Sequence, residues 1–217
     1  MEFGIPVTPD IFLGFATPVM VRAIPNHAAV TAALRAEILA MAERDPGVTV
    51  SNRGGWQSRP DFWSWDSDAV EAWRGWVHGC VLRMAALPAG ETELSRVDVE
   101  YEVVAWANIN RTGAYNDAHI HANNDWAVVC YVEVGEKEPG WDRNGMIELH
   151  DPRTLSRSSD LAAYGFARSF LLDPQPGQML MFPAWMEHSV HPFYGSGTRI
   201  SIACNVRITG GRHSGRV

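Results

Sequence analysis

Beyond Gly90 the chain divides into eight short segments, 96–110, 117–121, 126–134, 145–150, 167–172, 178–183, 187–191 and 198–208. Each is rich in Val, Ile, Phe, Tyr or Trp, and each is set off by Gly, Pro, Asn or Asp, which is the composition of strands between turns. Strands this short and this evenly spaced predict a β-barrel or a double-sheet jelly roll. Ahead of them, residues 11–22 read as extended, and residues 51–65, rich in Gly, Ser and Trp, read as an ordered loop. Val30, Leu34, Ile38 and Met41 recur at helical spacing between Pro25 and about Glu43. A second helix is predicted from Asp66 or Ser67 to about Ala86, with Val70, Trp73, Val77, Cys80, Val81 and Met84 on one face and a capping box at Asp68 and Glu71. The expectation is a mainly β protein with a helical buttress. A length of 217 residues suits one domain over 1–217, with 1–90 as the helical and extended buttress and 91–210 as the β core.

Charge and cysteine usage narrow the function classes. The formal net charge is −7 with no clustered Lys or Arg, which argues against nucleic acid and against an anionic membrane surface. Three cysteines, Cys80, Cys130 and Cys204, without a CxxC pair make a disulfide framework or a Cys-rich zinc knuckle a poor reading. The first 25 residues hold four prolines and lack a charged lead into a long apolar run, so neither a signal peptide nor a membrane span is expected there. The expectation is a soluble, cytoplasmic protein.

The chemistry lies among eight histidines. In Asn116-Asp117-Ala118-His119-Ile120-His121, the two histidines are i and i+2, so a strand projects both from one face and turns Ile120 into packing. Imidazoles about 7 Å apart along such a strand can converge on one ion. A second segment, Gln175 to Pro183, is a turn into an apolar strand, and Ala184 to His191 after it carries His188. Arg199 follows eleven positions later, with Ser201 on the same strand face. A guanidinium is a planar fork that grips a carboxylate bidentately, and a neighbouring hydroxyl adds a donor.

SNRGGWQS (51–58), WANIN (106–110), HIH (119–121), the Tyr131-Val132 strand, IELHDPR (147–153), PGQMLMFPAWMEH (176–188) and RISIACN (199–205) resemble, in this order, the Fe(II)/2-oxoglutarate-dependent oxygenase superfamily. More narrowly they are similar to a group of uncharacterised bacterial and phage 2OG-Fe(II) oxygenases. The resemblance implies a double-stranded β-helix core of the jelly-roll, cupin-like kind. It implies Fe(II), with 2-oxoglutarate as cosubstrate, O₂, release of succinate and CO₂, and hydroxylation of an unknown small-molecule or peptide substrate. By the same resemblance His119 and His188 are metal ligands, and Arg199 binds the distal carboxylate of 2-oxoglutarate with Ser201 and Tyr131. Asn108 is a weaker candidate for contact with that cosubstrate. The superfamily usually carries HxD or HxE, the 2-His-1-carboxylate triad; here His121 stands where the carboxylate belongs. The expected triad is therefore His119, His121 and His188, with Asp125 or Asp117 as the alternative third ligand.

Other readings stay open at this level. A three-His, cupin-like metal dioxygenase or isomerase would need no 2-oxoglutarate, and a non-catalytic jelly-roll binding module would need no metal. Glu187 and His191 should face away from His188, while His27, His78 and His213 read as ordinary helix or tail residues and His150 is ambiguous. Trp73, Trp76 and Trp185 read as core; Trp56, Trp63, Trp65 and Trp126 read as packing first and as a roof over the site second. Exposed jelly-roll edges give a weak hint of a homodimer.

Overall fold

The alternating segments form antiparallel strands in the computed structural model, which describes residues 16–88, 92–153 and 169–212. In chain order the elements are β1 (Met20–Ala23), α1 (Ala28–Arg44), β2 (Asn52–Arg53), β3 (Trp56–Gln57), α2 (Asp68–Ala86), β4 (Asp98–Asn110) and β5 (Tyr115–His119). There follow β6 (Trp126–Glu133), β7 (Glu136–Lys137), β8 (Ile147–His150), β9 (Ser169–Leu172), β10 (Gln178–Pro183), β11 (His188–Val190), β12 (Gly195–Ser196) and β13 (Arg199–Arg212). A six-stranded sheet runs β1-β10-β6-β13-β4-β3 and a five-stranded sheet runs β2-β5-β11-β8-β9. Together they are the two sheets of a jelly roll, a double-stranded β-helix.

Alternation along β13 decides what lies on each face of the large sheet. Ile200, Ile202, Cys204 and Val206 are buried in the main apolar cluster, together with the Val70, Trp73, Val77, Cys80, Val81 and Met84 face of α2 and with Leu34 and Ile38 of α1. Arg199, Ser201 and Asn205 have the opposite parity, and so face the inside of the jelly roll. There a second cluster, built on Ala127, Tyr131, Ile147, Leu149, Leu180, Phe182 and Met186, fills the space between the sheets. β13 pairs with β4 from Arg199↔Asn110 to Arg212↔Asp98, with one register shift between Ile208 and Gly210.

Both helices occupy the expected stretches, but the cap of α2 differs. Its N-cap is Ser67, whose hydroxyl accepts from the Val70 N–H at 3.2 Å and donates to the Glu37 carboxylate of α1 at 2.9 Å. Asp68 and Glu71 instead lie in the first turn, where negative charge meets the positive end of the helix dipole. The N-terminal third does more than buttress: β1 extends the large sheet beside β10, and β2 and β3 extend the two sheets beside β5 and β4. Residues 11–15, residues 167–168 and His213 lie outside the described residues. Among the described residues no helix is long and apolar enough to cross a membrane.

Trp73 is wholly buried between α2 and the sheet. Trp73→Ala is expected to cost about 3–5 kcal/mol of unfolding free energy, against about 1 kcal/mol for Ser67→Ala. Urea unfolding of both variants measures this, and equal losses would contradict the assignment of the core.

Candidate active site

The β5–β11 ladder pairs His119 directly with His188, so the last residue of one strand faces the first residue of the other. His121 joins them from just past the end of β5, where its backbone N–H donates to the Ala184 carbonyl at 2.9 Å. Ile120 is accordingly 50% exposed and does not pack inward. The ring centroids lie 4.3 Å apart for His119–His188, 5.0 Å for His119–His121 and 5.0 Å for His121–His188. One nitrogen of each ring falls within 4.8 Å of the others, a set able to hold a metal ion.

Two of the rings are oriented by their own strands. His119 Nδ1 lies 2.7 Å from the Asp117 carbonyl and His188 Nδ1 lies 2.9 Å from the Met186 carbonyl. An Nδ1–H donated to a carbonyl fixes the tautomer and leaves Nε2 as the electron-pair donor. Burial, with the nearby His119 ring adding to it, pushes His188 down to about 3 and His121 down to about 4. Both are therefore neutral near pH 7, the form that ligates a metal.

Neither carboxylate alternative joins this group among the described residues. Asp117 pairs with Arg53, Oδ2 to Nη2 at 2.5 Å, and Asp125 Oδ2 accepts from the Ile208 backbone N–H at 2.7 Å. The remaining described histidines have other partners. His191 Nε2 meets Glu148 at 2.7 Å, His78 Nδ1 meets the Tyr101 hydroxyl at 2.7 Å, His150 meets Ser189 and His27 meets Thr31.

Along the inner face of β13 the structure gathers a row of polar groups. Arg199 is 2% exposed; its Nε donates to the Gly145 carbonyl at 3.0 Å, and its guanidinium carbon lies 5.3 Å from the centre of the Tyr131 ring. No carboxylate pairs with it among the described residues. The register sets Arg199 opposite Asn110 and sets Ser201 opposite both Asn108 and Tyr131. The Tyr131 hydroxyl and the Oδ1 atoms of Asn108 and Asn110 are buried without a hydrogen-bond partner. Burial draws the Arg199 pKa down and pushes the Tyr131 phenol up to about 12, so the phenol keeps its proton as a donor. A buried cation costs several kcal/mol unless an anion meets it. The patch thus fits a carboxylate-bearing molecule.

A cleft of about 510 Å³ opens beside the histidines, with Arg53, Val104, Trp106, Asp117 and Asn205 in its wall. Trp106 is the tryptophan at the site, its ring centroid 5.6 Å from that of His121. Trp56, Trp63, Trp65 and Trp126 pack on the main core, and Trp185, expected in the core, is 51% exposed. Asn110 and Trp106 escaped the sequence reading although alternation from Asn108 along β4 carries the signal for both. Arg53 and Asn205 had none, because only the folded register brings β2 and β13 to one cleft.

Residues 104–205 match the model of a family described as "Putative 2OG-Fe(II) oxygenase". No curated protein matches the chain in sequence. In structure it is similar to a prolyl-4-hydroxylase from Pseudomonas putida, at TM-score 0.60 and 17% identity over 89% of this chain and 94% of that one. It is similar also to a prolyl hydroxylase from Trichoplax adhaerens, solved with a peptide fragment of hypoxia inducible factor, at TM-score 0.55 and 14% identity over 87% and 83%. A third similarity is to HygX from Streptomyces hygroscopicus, solved with nickel, 2-oxoglutarate and hygromycin B, at TM-score 0.53 and 13% identity over 89% and 84%.

The lowered histidine pKa values carry a pH signature. Between the ordinary 6.5 and about 4, the unfolded chain takes up protons at His121 and His188 while the metal-free folded chain does not. Stability therefore falls as pH drops through that window. His188→Gln is expected to flatten this stretch of the stability curve, and an equally steep curve in the variant would contradict the burial of a neutral ring.

Proposed function

We propose that this chain, whose residues 104–205 match the model of a family described as "Putative 2OG-Fe(II) oxygenase", is such an oxygenase, that His119, His121 and His188 hold the iron and that Arg199, Ser201 and Tyr131 hold the distal carboxylate of 2-oxoglutarate. The observation that carries this assignment is the pairing of three converging imidazoles with a buried guanidinium that has no carboxylate partner among the described residues. Iron(II) and 2-oxoglutarate are the enzyme's cofactors, and together with O₂ they supply the oxidising chemistry, releasing succinate and CO₂ as a substrate C–H bond is hydroxylated.

The chain's own residues bind, orient and exclude water. The Asp117 and Met186 carbonyls hold two ligand rings in one tautomer. Arg199 presents its charge from a dry interior, where a charge-assisted bond is stronger than in water. The Tyr131 hydroxyl supplies a further unengaged donor on the same face. Three neutral ligands leave the metal with one negative charge fewer than a 2-His-1-carboxylate set. The cosubstrate's own charge then does more of the neutralising.

Anaerobic loading with Fe(II), followed by 2-oxoglutarate and air, is expected to give succinate. His119→Ala and His188→Ala are expected to abolish it. Arg199→Gln is expected to raise the KM for 2-oxoglutarate roughly 10- to 100-fold through the loss of charged hydrogen bonds, with Arg199→Lys recovering part of the loss. Succinate formation that survives His188→Ala, or an unchanged KM in Arg199→Gln, would overturn the assignment.

A further inference from the structure

The wall of the cleft holds charges that neither metal nor cosubstrate requires. Arg53 and Asp117 pair at 2.5 Å with side chains 43% and 42% exposed. Arg53 Nη1 also donates to the Val50 and Asn52 carbonyls at 3.0 Å each, which fixes the guanidinium in place. Asp117 stands two residues before His119, and its carbonyl orients that ring. A half-exposed ion pair contributes only about 0–1 kcal/mol to stability, so folding gives little reason for its place beside the histidines. In the same wall, Asn205 carries a buried Oδ1 with no hydrogen-bond partner. The rest of the lining is largely apolar, with Val104 and Ile120 half-exposed and Trp106 beside His121.

We propose that this cleft is the substrate site and that it takes a free α-amino acid with an apolar or aromatic side chain; the proposal rests on the oxygenase reading above. An ammonium group brings N–H donors and meets the half-exposed Asp117 carboxylate in the cleft wall. The α-carboxylate meets Arg53. The side chain lies along Val104, Ile120 and Trp106, next to the metal ligands. Because Arg53 and Asp117 cancel, the wall offers no excess positive charge to a phosphorylated or polyanionic molecule. A peptide turns both charged ends into neutral amides and leaves Arg53 and Asp117 without charged partners. A cleft of about 510 Å³ is within the range of small-molecule sites. In the reaction, one oxygen atom of O₂ enters the new C–OH bond and the other enters the succinate carboxylate. 2-Oxoglutarate and the substrate each give up two electrons, and 2-oxoglutarate loses CO₂.

The test uses the full chain loaded with Fe(II) without oxygen. Calorimetry first titrates 2-oxoglutarate, then L-leucine, L-isoleucine, L-phenylalanine and L-tryptophan, and then their N-acetyl and carboxamide derivatives. At least one free amino acid is expected to bind, blocking either end is expected to weaken it at least about tenfold, and Asp117→Asn is expected to weaken the free form far more than the N-acetyl form. Admission of air is expected to yield an amino acid one oxygen atom heavier, with one succinate each. Equal binding of free and blocked forms, tighter binding of an end-blocked peptide, or no amino-acid binding by a chain that does bind 2-oxoglutarate would overturn the proposal. A chain that does not bind 2-oxoglutarate would overturn the oxygenase reading beneath it.

Discussion

The register of β13 against β4 and β6 is the constraint on which the rest depends. With Ser201 opposite Asn108 and Tyr131, the even-numbered residues Ile200, Ile202, Cys204 and Val206 meet the helices, while Arg199 and Ser201 face the interior of the jelly roll. A slip of one residue would drive a guanidinium into the apolar layer against α2 and turn isoleucines toward the polar row. The apolar packing of α2 against the sheet therefore also positions the group proposed to hold the cosubstrate. Stability and function share one ladder.

A second ladder does the same for the proposed metal ligands. The β5–β11 pairing brings His119 and His188 ring to ring, and the turn between β10 and β11 supplies the Ala184 carbonyl that draws in His121. The same turn supplies the Met186 carbonyl that orients His188, so one short connection serves two of the three histidines. Nearby carboxylates are engaged by Arg53 and by the Ile208 N–H, so an all-imidazole group stands next to an interior that carries a positive charge. Both features favour a ligand that brings its own negative charges. The net charge of −7 gives such a ligand no long-range attraction, so its capture is a local matter of Arg199 and the donors around it.

Most of the fold was legible because its signals are local. Strand segments bounded by turn residues, and the α2 face from Val70 to Met84, follow directly from period-2 and period-3.6 patterning. His119, His188 and Arg199 were legible as a spaced motif. Where local reasoning failed, a tertiary contact had taken over. His121 does join His119 as the i, i+2 spacing implied, but Ile120 between them is exposed, because β5 ends at His119 and the Ala184 carbonyl holds His121 beyond it. The cap of α2 went to Ser67, whose hydroxyl also answers Glu37 on the other helix. Trp106 was passed over among nine tryptophans although it shares the strand face of Asn108, the one local sign that it lines a cleft. The Arg53–Asp117 pair joins residues 64 positions apart and has no sequence signature.

The central claim is that three histidines hold iron beside a dicarboxylate gripped by Arg199. Anomalous diffraction at the iron edge, from crystals grown with Fe(II) and soaked with 2-oxoglutarate without oxygen, tests it most directly. The account predicts one iron peak bonded to His119, His121 and His188, with 2-oxoglutarate spanning from the metal to the Arg199 guanidinium. Iron ligated by Asp117 or Asp125 in place of His121, or 2-oxoglutarate bound away from Arg199, would contradict it.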